Sequence, residues 1–344
     1  MKRWLIRIGI ALLFLVALGT LAALFVYHNG IAYTVATLND GWPQPYFDTS
    51  QHPRATCTQP GPCTTGPLRV LSYNVYNGSA LLERLVDLPD CPPWTERVPH
   101  LRTLLAGFNA DLVGLQEMGG RPDMQALLPE APGYALVTYT FDDHHYSDSA
   151  LLFRGERFQL LDSGQFWLSP TPELPFGFGW QRLSVWRYVN WAYLEERNSG
   201  FRFLFANTHF DNNGPNKEAA ARVVSDVFGA YAEAVPIIFT GDFNTPPTTE
   251  RYQHLTGAAQ GDVWLHNTHD LAPAPAFALV GEGPVPERWP GQPGWDHMID
   301  HIFVAGPVDA EVTVWRTALA FYDDPPQPLS DHPYVLAELQ LTAR

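Results

Sequence analysis

Twenty consecutive residues without a charge, 8–27, follow Lys2, Arg3 and Arg7 at the start of the chain. An apolar run of that length spans a bilayer, and the positive flank predicts that residues 1–7 stay in the cytoplasm while the rest is exported. The run has no polar face, which argues against a buried soluble helix. It is longer than a typical signal core and lacks a clear small-residue cleavage site, so 8–27 is expected to be an uncleaved transmembrane signal anchor. Residues 28–67 are polar and turn-rich and read as a linker. From residue 68 to 344 strand-like and helix-like segments mix. Apolar runs predict strands over 68–75, 112–116, 149–153, 201–207, 236–240, 298–304 and 334–339. Helical spacing of Val98, Leu101, Leu104, Leu105 and Phe108 predicts a helix over 95–108. Ala220, Val223, Val224, Val227 and Tyr231 predict another over 217–234. Two long loops, 170–186 and 281–295, stand between these elements.

The strands share a grammar: apolar through their length and polar at one end. Val235-Pro236-Ile237-Ile238-Phe239 runs into Thr240-Gly241-Asp242-Phe243-Asn244. Polar groups at i and i+2 leave a strand end on one face, which brings a carboxylate and an amide into one cleft. Such a pair suits a divalent cation, a phosphate or an attacking water. Asn74, Glu117 and His209 end other runs, Asp300 interrupts one, and Asp331-His332 opens the last. Each alone has an ordinary reading as a turn residue, a solvated strand end or a satisfied core histidine.

Composition narrows the partners. With 46% hydrophobic residues the chain can build a large core, and its net charge is −15. Setting aside the three N-terminal cations leaves −18 on the remainder, an adverse balance for a protein whose main partner is duplex DNA. Cys57 and Cys63 flank a short turn that suits a disulfide, leaving Cys91 over; three unpaired thiols are the alternative.

In combination and order, Leu71-Ser72-Tyr73-Asn74-Val75, Leu115-Gln116-Glu117, Asn207-Thr208-His209-Phe210, Gly241-Asp242-Phe243-Asn244, Ile299-Asp300-His301-Ile302 and Ser330-Asp331-His332 resemble the endonuclease/exonuclease/phosphatase superfamily of metal-dependent phosphoesterases. The likeness covers about 68–341. The loop Phe166-Trp167-Leu168-Ser169-Pro170 with Trp180 is similar to a bacterial, membrane-anchored hydrolase branch of it. The resemblance implies an α/β fold, a four-layer sandwich of two mixed β-sheets face to face with helices outside. It implies magnesium, with manganese as a possible substitute, on Glu117, Asn74 and Asp331. That donor set is sufficient for a hard cation completed by water and substrate oxygens. Asp242 and Asn244 would hold the attacking water and a phosphate oxygen. His332 would pair with Asp300, and His209 would meet the phosphate from the other side, oriented by Asp148. Arg187 and Tyr146 would bind substrate. Pro333 comes one position earlier than the family's usual proline after Ser-Asp-His.

The expected function is therefore magnesium-dependent hydrolysis of a phosphodiester or phosphomonoester, small molecule or lipid, outside the cytoplasmic membrane. An exported nuclease is the alternative, and a non-catalytic binding module of the same fold a second one. Phe176, Phe178, Trp180, Trp186 and Trp191 form either an apolar wall for a lipid or aryl group, or ordinary packing.

Overall fold

The computed structural model describes residues 2–26, 43–50, 57, 63–76, 91–119, 121–128, 133–139, 147–174, 179–181, 186–277, 294–323 and 326–344. Tyr146, Phe176, Phe178 and most of the 281–295 loop lie outside the described residues. The chain begins with helix α1, Lys2–Val26. Where its side chains are described, Ile10, Leu12, Leu13, Phe14, Leu15, Val16 and Leu18 are exposed. Among the described residues no helix is long and apolar enough to cross a membrane.

The remaining elements alternate between two sheets. Strand β1, Leu68–Asn74, is followed by helix α2, Trp94–Phe108, strand β2, Leu112–Met118, and helix α3, Arg121–Leu127. Next come β3, Tyr134–Val137, β4, Ser147–Arg154, β5, Phe158–Trp167, β6, Tyr188–Glu196, and β7, Arg202–His209. Helix α4, Gly214–Ala232, leads to β8, Ile237–Asp242, helix α5, Glu250–Thr256, and β9, Leu265–Asn267. The short helix α6, Thr268–Leu271, precedes β10, Ala276–Phe277, β11, Asp300–Ala305, and β12, Val308–Ala318. A small hairpin of β13, Phe321–Tyr322, and β14, Gln327–Pro328, precedes β15, Tyr334–Ala343. One sheet has the order β10-β12-β15-β1-β2-β4-β3 and the other β5-β6-β7-β8-β11-β9. Both are mixed, because β1 pairs parallel with β2 and antiparallel with β15, and β8 parallel with β7 and antiparallel with β11.

Burial follows this layering. Val70, Leu112, Phe203, Ile238, Ile302 and Leu339 fill the space between the sheets. Helix α4 lays Ala220, Val224 and Phe228 on the outside of the second sheet, against Phe239. Helix α2 lays Val98, Leu101 and Phe108 on the outside of the first, against Leu71 and Leu115. The outer faces of β1 and β8 are therefore as apolar as their inner faces, which is why those strands read as continuous runs. The result is helix, sheet, sheet, helix, the four layers expected.

A polar seam ties the sheets together under the cluster described below. Asn207 on β7 donates from Nδ2 to the carbonyls of Leu115 and Ala150, both at 2.9 Å. Its Oδ1 accepts from Gln116 Nε2 at 2.7 Å and from Thr240 Oγ1 at 3.1 Å. Every buried polar atom of Asn207 is thus satisfied, as a low-dielectric interior requires. Gly114 is needed here: a Cβ would sit 2.1 Å from Thr240 Oγ1.

The folded unit begins earlier than residue 68, which corrects the reading of 28–67 as linker throughout. Gln44 O accepts from Gln165 N at 2.8 Å, and Pro45 O from Trp191 Nε1 at 3.2 Å. Phe47 is buried in the core beside α4, with its N–H on Tyr231 OH. At the other end of the span Thr65 pairs with Leu341 of β15. The physical reason is apolar: a buried phenylalanine within a polar stretch draws its neighbours onto the sheet edge. Cys57 and Cys63 form the disulfide, and Cys91 stands outside it.

Candidate active site

The cluster lies where strand ends from the two sheets meet. Asn74 closes β1, Glu117 nearly closes β2, His209 closes β7 and Asp242 closes β8. In the second sheet the register sets Asp242 beside His209 on one side and Asp300 on the other. Asn74 joins the sheets: its Nδ2 donates to Glu117 Oε1 at 2.9 Å and to Asp242 Oδ2 at 3.2 Å. Its own Oδ1 accepts from Tyr76 N at 3.0 Å.

Asp242 is at the centre. Oδ1 accepts the Asn244 main-chain N–H at 2.9 Å. Oδ2 faces Asn74 Nδ2, His209 Nε2 at 3.3 Å and His332 Nε2 at 3.6 Å. Burial works against its charge, yet His209 and His332 hold the carboxyl below its usual range. Each histidine is oriented by an acid behind it. His209 Nδ1 contacts Asp148 Oδ1 at 2.8 Å, and Asp148 Oδ2 is ion-paired with Arg187 Nη1. Burial, then the nearby Arg187 charge, push His209 down to about 4. Its imidazole is thus neutral near pH 7, with Nδ1–H given to Asp148 and Nε2 turned to the cleft. His332 Nδ1 contacts Asp300 Oδ2 at 2.8 Å. Burial opposes its charge, but Asp300 and Asp242 outweigh that and hold His332 well above its ordinary value. Burial raises Asp300 to about 6.

Two acidic groups have no such partner. Among the described residues neither Glu117 nor Asp331 forms an ion pair. Burial pushes the Asp331 carboxyl up, and the negative Glu117 adds to it against the pull of His332. Two carboxylates, with the Glu117 charge felt at Asp331, are oxygen donors suited to a hard divalent cation. Asn74 beside them gives its Nδ2 to Glu117 and its oxygen to Tyr76 N–H, so it would join as a ligand through the second lone pair of that oxygen. Asp242, Asp300 and His332 also lie within 4.8 Å of one another and form a second conceivable metal group. Their closeness is explained by the His332–Asp300 contact, and a cation there would have to displace a protonated imidazole. Glu117 with Asn74 and Asp331 is the better-suited set.

Asn244 differs from the strand-end expectation. The strand stops at Asp242, Asn244 has φ 47°, and its Nδ2 donates to Phe210 O at 3.0 Å. A left-handed turn that asparagine tolerates, not the strand pleat, sets its main-chain N–H on Asp242 and its side-chain amide on the residue after His209. Glu117 also has positive φ, 56°, and gives its N–H to Asp148 Oδ1 at 3.2 Å instead of to the ladder. Strain of this kind in a non-glycine residue is costly and collects at functional sites. Despite the early Pro333, His332 keeps its contact with Asp300. The aromatic cluster resolves toward packing where it is described. Trp191 is fully buried, Trp186 lies edge-on to Trp167, and Trp180 packs on the core around Phe47.

Two residues not singled out from the sequence support the site. Tyr188 OH accepts the Asp148 N–H at 2.8 Å. Arg97, on α2, is fully buried and bonded to the segments that carry Asn74 and His332. A charged residue directly before Val98, inside the apolar stripe of a helix, was the signal available for it.

A sandwich of two mixed sheets with this acid, amide and histidine cluster at the shared edge is the phosphoesterase type of α/β sandwich. The chain belongs to the endonuclease/exonuclease/phosphatase family, whose model matches residues 71–332. Members of that family hydrolyse phosphoesters and generally depend on divalent metal. A solved family member from Bacteroides thetaiotaomicron superposes with a TM-score of 0.61 at 25% identity, over 80% of this chain and 98% of its own. A mannosyl-6-phosphatase of the same organism gives 0.58 at 24%, over 79% and 99%. Human nocturnin is 24% identical over 216 residues, 58% of this chain and 48% of nocturnin, so the chain spans about half of that relative.

Proposed function

We propose that the chain is a divalent-metal-dependent hydrolase of phosphoester bonds, taking a small-molecule or lipid phosphodiester or phosphomonoester. The observation that carries this reading is a single carboxylate oxygen, Asp242 Oδ2, facing Asn74, His209 and His332 at 3.2, 3.3 and 3.6 Å. Glu117, Asn74 and Asp331 would hold magnesium or manganese, which when bound draws charge from phosphoryl oxygens as a Lewis acid. The side chains supply the rest. Asp242, kept ionised, is placed to take the proton of an attacking water. His332, held protonated by Asp300, stabilises charge as it grows on the phosphoryl group. His209 Nε2, carrying no proton, accepts from the attacking water, Asn244 meets the phosphate, and Arg187 steadies Asp148. Tyr146, assigned to substrate by the resemblance, lies outside the described residues.

The test is turnover of bis-p-nitrophenyl phosphate and p-nitrophenyl phosphate by the purified full chain, beside sphingomyelin, phosphatidylinositol, sugar phosphates and plasmid DNA. Hydrolysis of at least one ester, lost in EDTA and restored by magnesium or manganese, is the expected result. No turnover of any ester would remove the reading, and nicking of the plasmid alone would replace it with a nuclease.

The Asp300–His332 pair sets a pH prediction. The productive form needs Asp300 ionised and His332 protonated. Activity is therefore expected to rise through about pH 6, as Asp300 loses its proton, and to fall at higher pH, as His332 loses its own. Asp300→Asn should abolish the acid limb and move the alkaline limb to lower pH, because His332 no longer has its anion. A pH–kcat profile of the two proteins checks this, and an unchanged profile would show that the pair plays no part.

We further infer that the domain works outside the cytoplasmic membrane, held by the N-terminal segment. The uncharged stretch 8–27, its preceding cations and the exposed apolar side chains of α1 support this. So does the Cys57–Cys63 disulfide, which suits an oxidising compartment. Flotation of the expressed chain with membranes, and digestion of the domain by protease added to spheroplasts, are expected; full protection of the domain in spheroplasts would remove the inference.

A further inference from the structure

We propose that Arg97 is a positioning residue that sets the geometry, and hence the metal affinity, of the cluster; the proposal rests on the hydrolytic reading above. Arg97 lies on α2, outside the cleft, and has no exposed surface. Its guanidinium spends its donors on main-chain carbonyls. Nη1 donates to Val75 O at 2.9 Å and to Leu329 O at 2.7 Å, Nη2 to Tyr76 O, and Nε to Pro92 O at 2.6 Å. The rings of Tyr76 and Trp94 lie 5.7 and 5.6 Å from its Cζ. No carboxylate is among these partners.

The carbonyls are placed tellingly. Val75 and Tyr76 directly follow Asn74, and Tyr76 has positive φ, 46°. Leu329 directly precedes Ser330-Asp331-His332. One side chain therefore ties the strand end that presents Asn74 to the loop that presents Asp331 and His332, across 232 residues of sequence from Arg97 to Leu329. Ser330 makes a second tie between the same two segments. Its Oγ donates to Asn74 O at 2.6 Å and accepts the His332 N–H at 3.1 Å. The planar fork meets four carbonyls from three nitrogens in fixed directions; a lysine ammonium has three donors on one nitrogen at the end of a flexible stem and does not reproduce that spread. A buried cation satisfied by carbonyls alone is an expensive device for packing, since an apolar side chain would fill the same space. Fixing two ligand-bearing segments in register gives it a purpose, because displacements of about 1 Å in such a site cost roughly 100-fold in rate.

The experiment compares wild type, Arg97→Lys and Arg97→Met, with Phe203→Leu as a core control between the sheets, remote from the cluster. Manganese affinity of each protein without substrate is read from the free-ion EPR signal. Melting temperature and bis-p-nitrophenyl phosphate kinetics are read alongside. The Arg97 variants are expected to lose roughly 10- to 100-fold in manganese affinity, the range for residues that orient ligands from behind. They should fall by a similar factor in kcat, with KM within about twofold because Arg97 reaches no substrate. The control should melt lower yet keep wild-type affinity. Should Arg97→Met not fold, Arg97→Lys decides. A folded Arg97→Lys with wild-type manganese affinity and kcat would overturn the proposal. So would a loss in Phe203→Leu as large as in the Arg97 variants. If wild type itself binds no manganese, the hydrolytic reading falls and this proposal with it.

Discussion

Asp242→Asn is expected to lower kcat roughly 10²- to 10⁴-fold, the range for removing a positioned general base, while leaving KM within about threefold and the fold intact. The substitution keeps the shape and most of the hydrogen bonds. An asparagine carbonyl can still accept the Asn244 N–H that now bonds Oδ1 at 2.9 Å. It cannot take a proton, and it no longer supplies the charge that helps hold His332 protonated. Stability should fall modestly at neutral pH. Burial and the neighbouring acids Asp300 and Asp331 oppose the Asp242 charge, but His209 and His332 outweigh them and hold the carboxyl below its usual range, so its ionised form favours the fold. A variant that still folds, melts somewhat lower and is nearly inactive separates the loss of chemistry from the loss of fold. Single-turnover hydrolysis and thermal melting of the same preparation measure both. A kcat within about threefold of wild type would take Asp242 out of the chemistry.

Glu117→Gln should chiefly remove the metal. Glutamine can still meet Asn74 Nδ2, which Glu117 Oε1 accepts at 2.9 Å, and the strained main chain at φ 56° is unchanged. What is lost is a negative charge felt at Asp331. Metal affinity is expected to fall by more than the roughly 10- to 100-fold typical of residues behind the ligands. In the metal-free protein the Asp331 pKa should also fall, since the Glu117 charge that raises it is gone. The melting temperature without metal should hold or rise, for the same reason. Manganese EPR and isothermal titration give the affinity. Near-wild-type binding in Glu117→Gln would move the cation to Asp242, Asp300 and His332, the other group close enough to hold one.

Legibility from sequence varied by element for physical reasons. Strands β1, β2, β7 and β8 are buried on both faces, so their apolar runs stood out and their polar ends marked the site. Strand β12, Val308–Ala318, shows no continuous strand pattern in the sequence although it is among the longest. It alternates charged and apolar residues, and an irregularity between Val312 and Val314 breaks the phase of that alternation. Strand β5 has a similar shift between Leu160 and Asp162. A period-2 pattern interrupted by a bulge no longer reads as one strand. Phe47 was lost in a polar stretch, and Arg97 was hidden because its partners are main-chain carbonyls, which carry no residue signature.

The sequence by itself determined the supply of chemistry: which strands end in an acid, an amide or an imidazole, and in what order. Those features are local, set by the pleat and by the few residues around each strand end. Only the tertiary structure decided how the groups divide the work. It drew Asn74 to Asp242 across 168 residues, gave His209 to Asp148 and His332 to Asp300, and left the Glu117 charge acting on Asp331. Such pairings depend on sheet register and on how two sheets stack, and these minimise free energy over the whole chain.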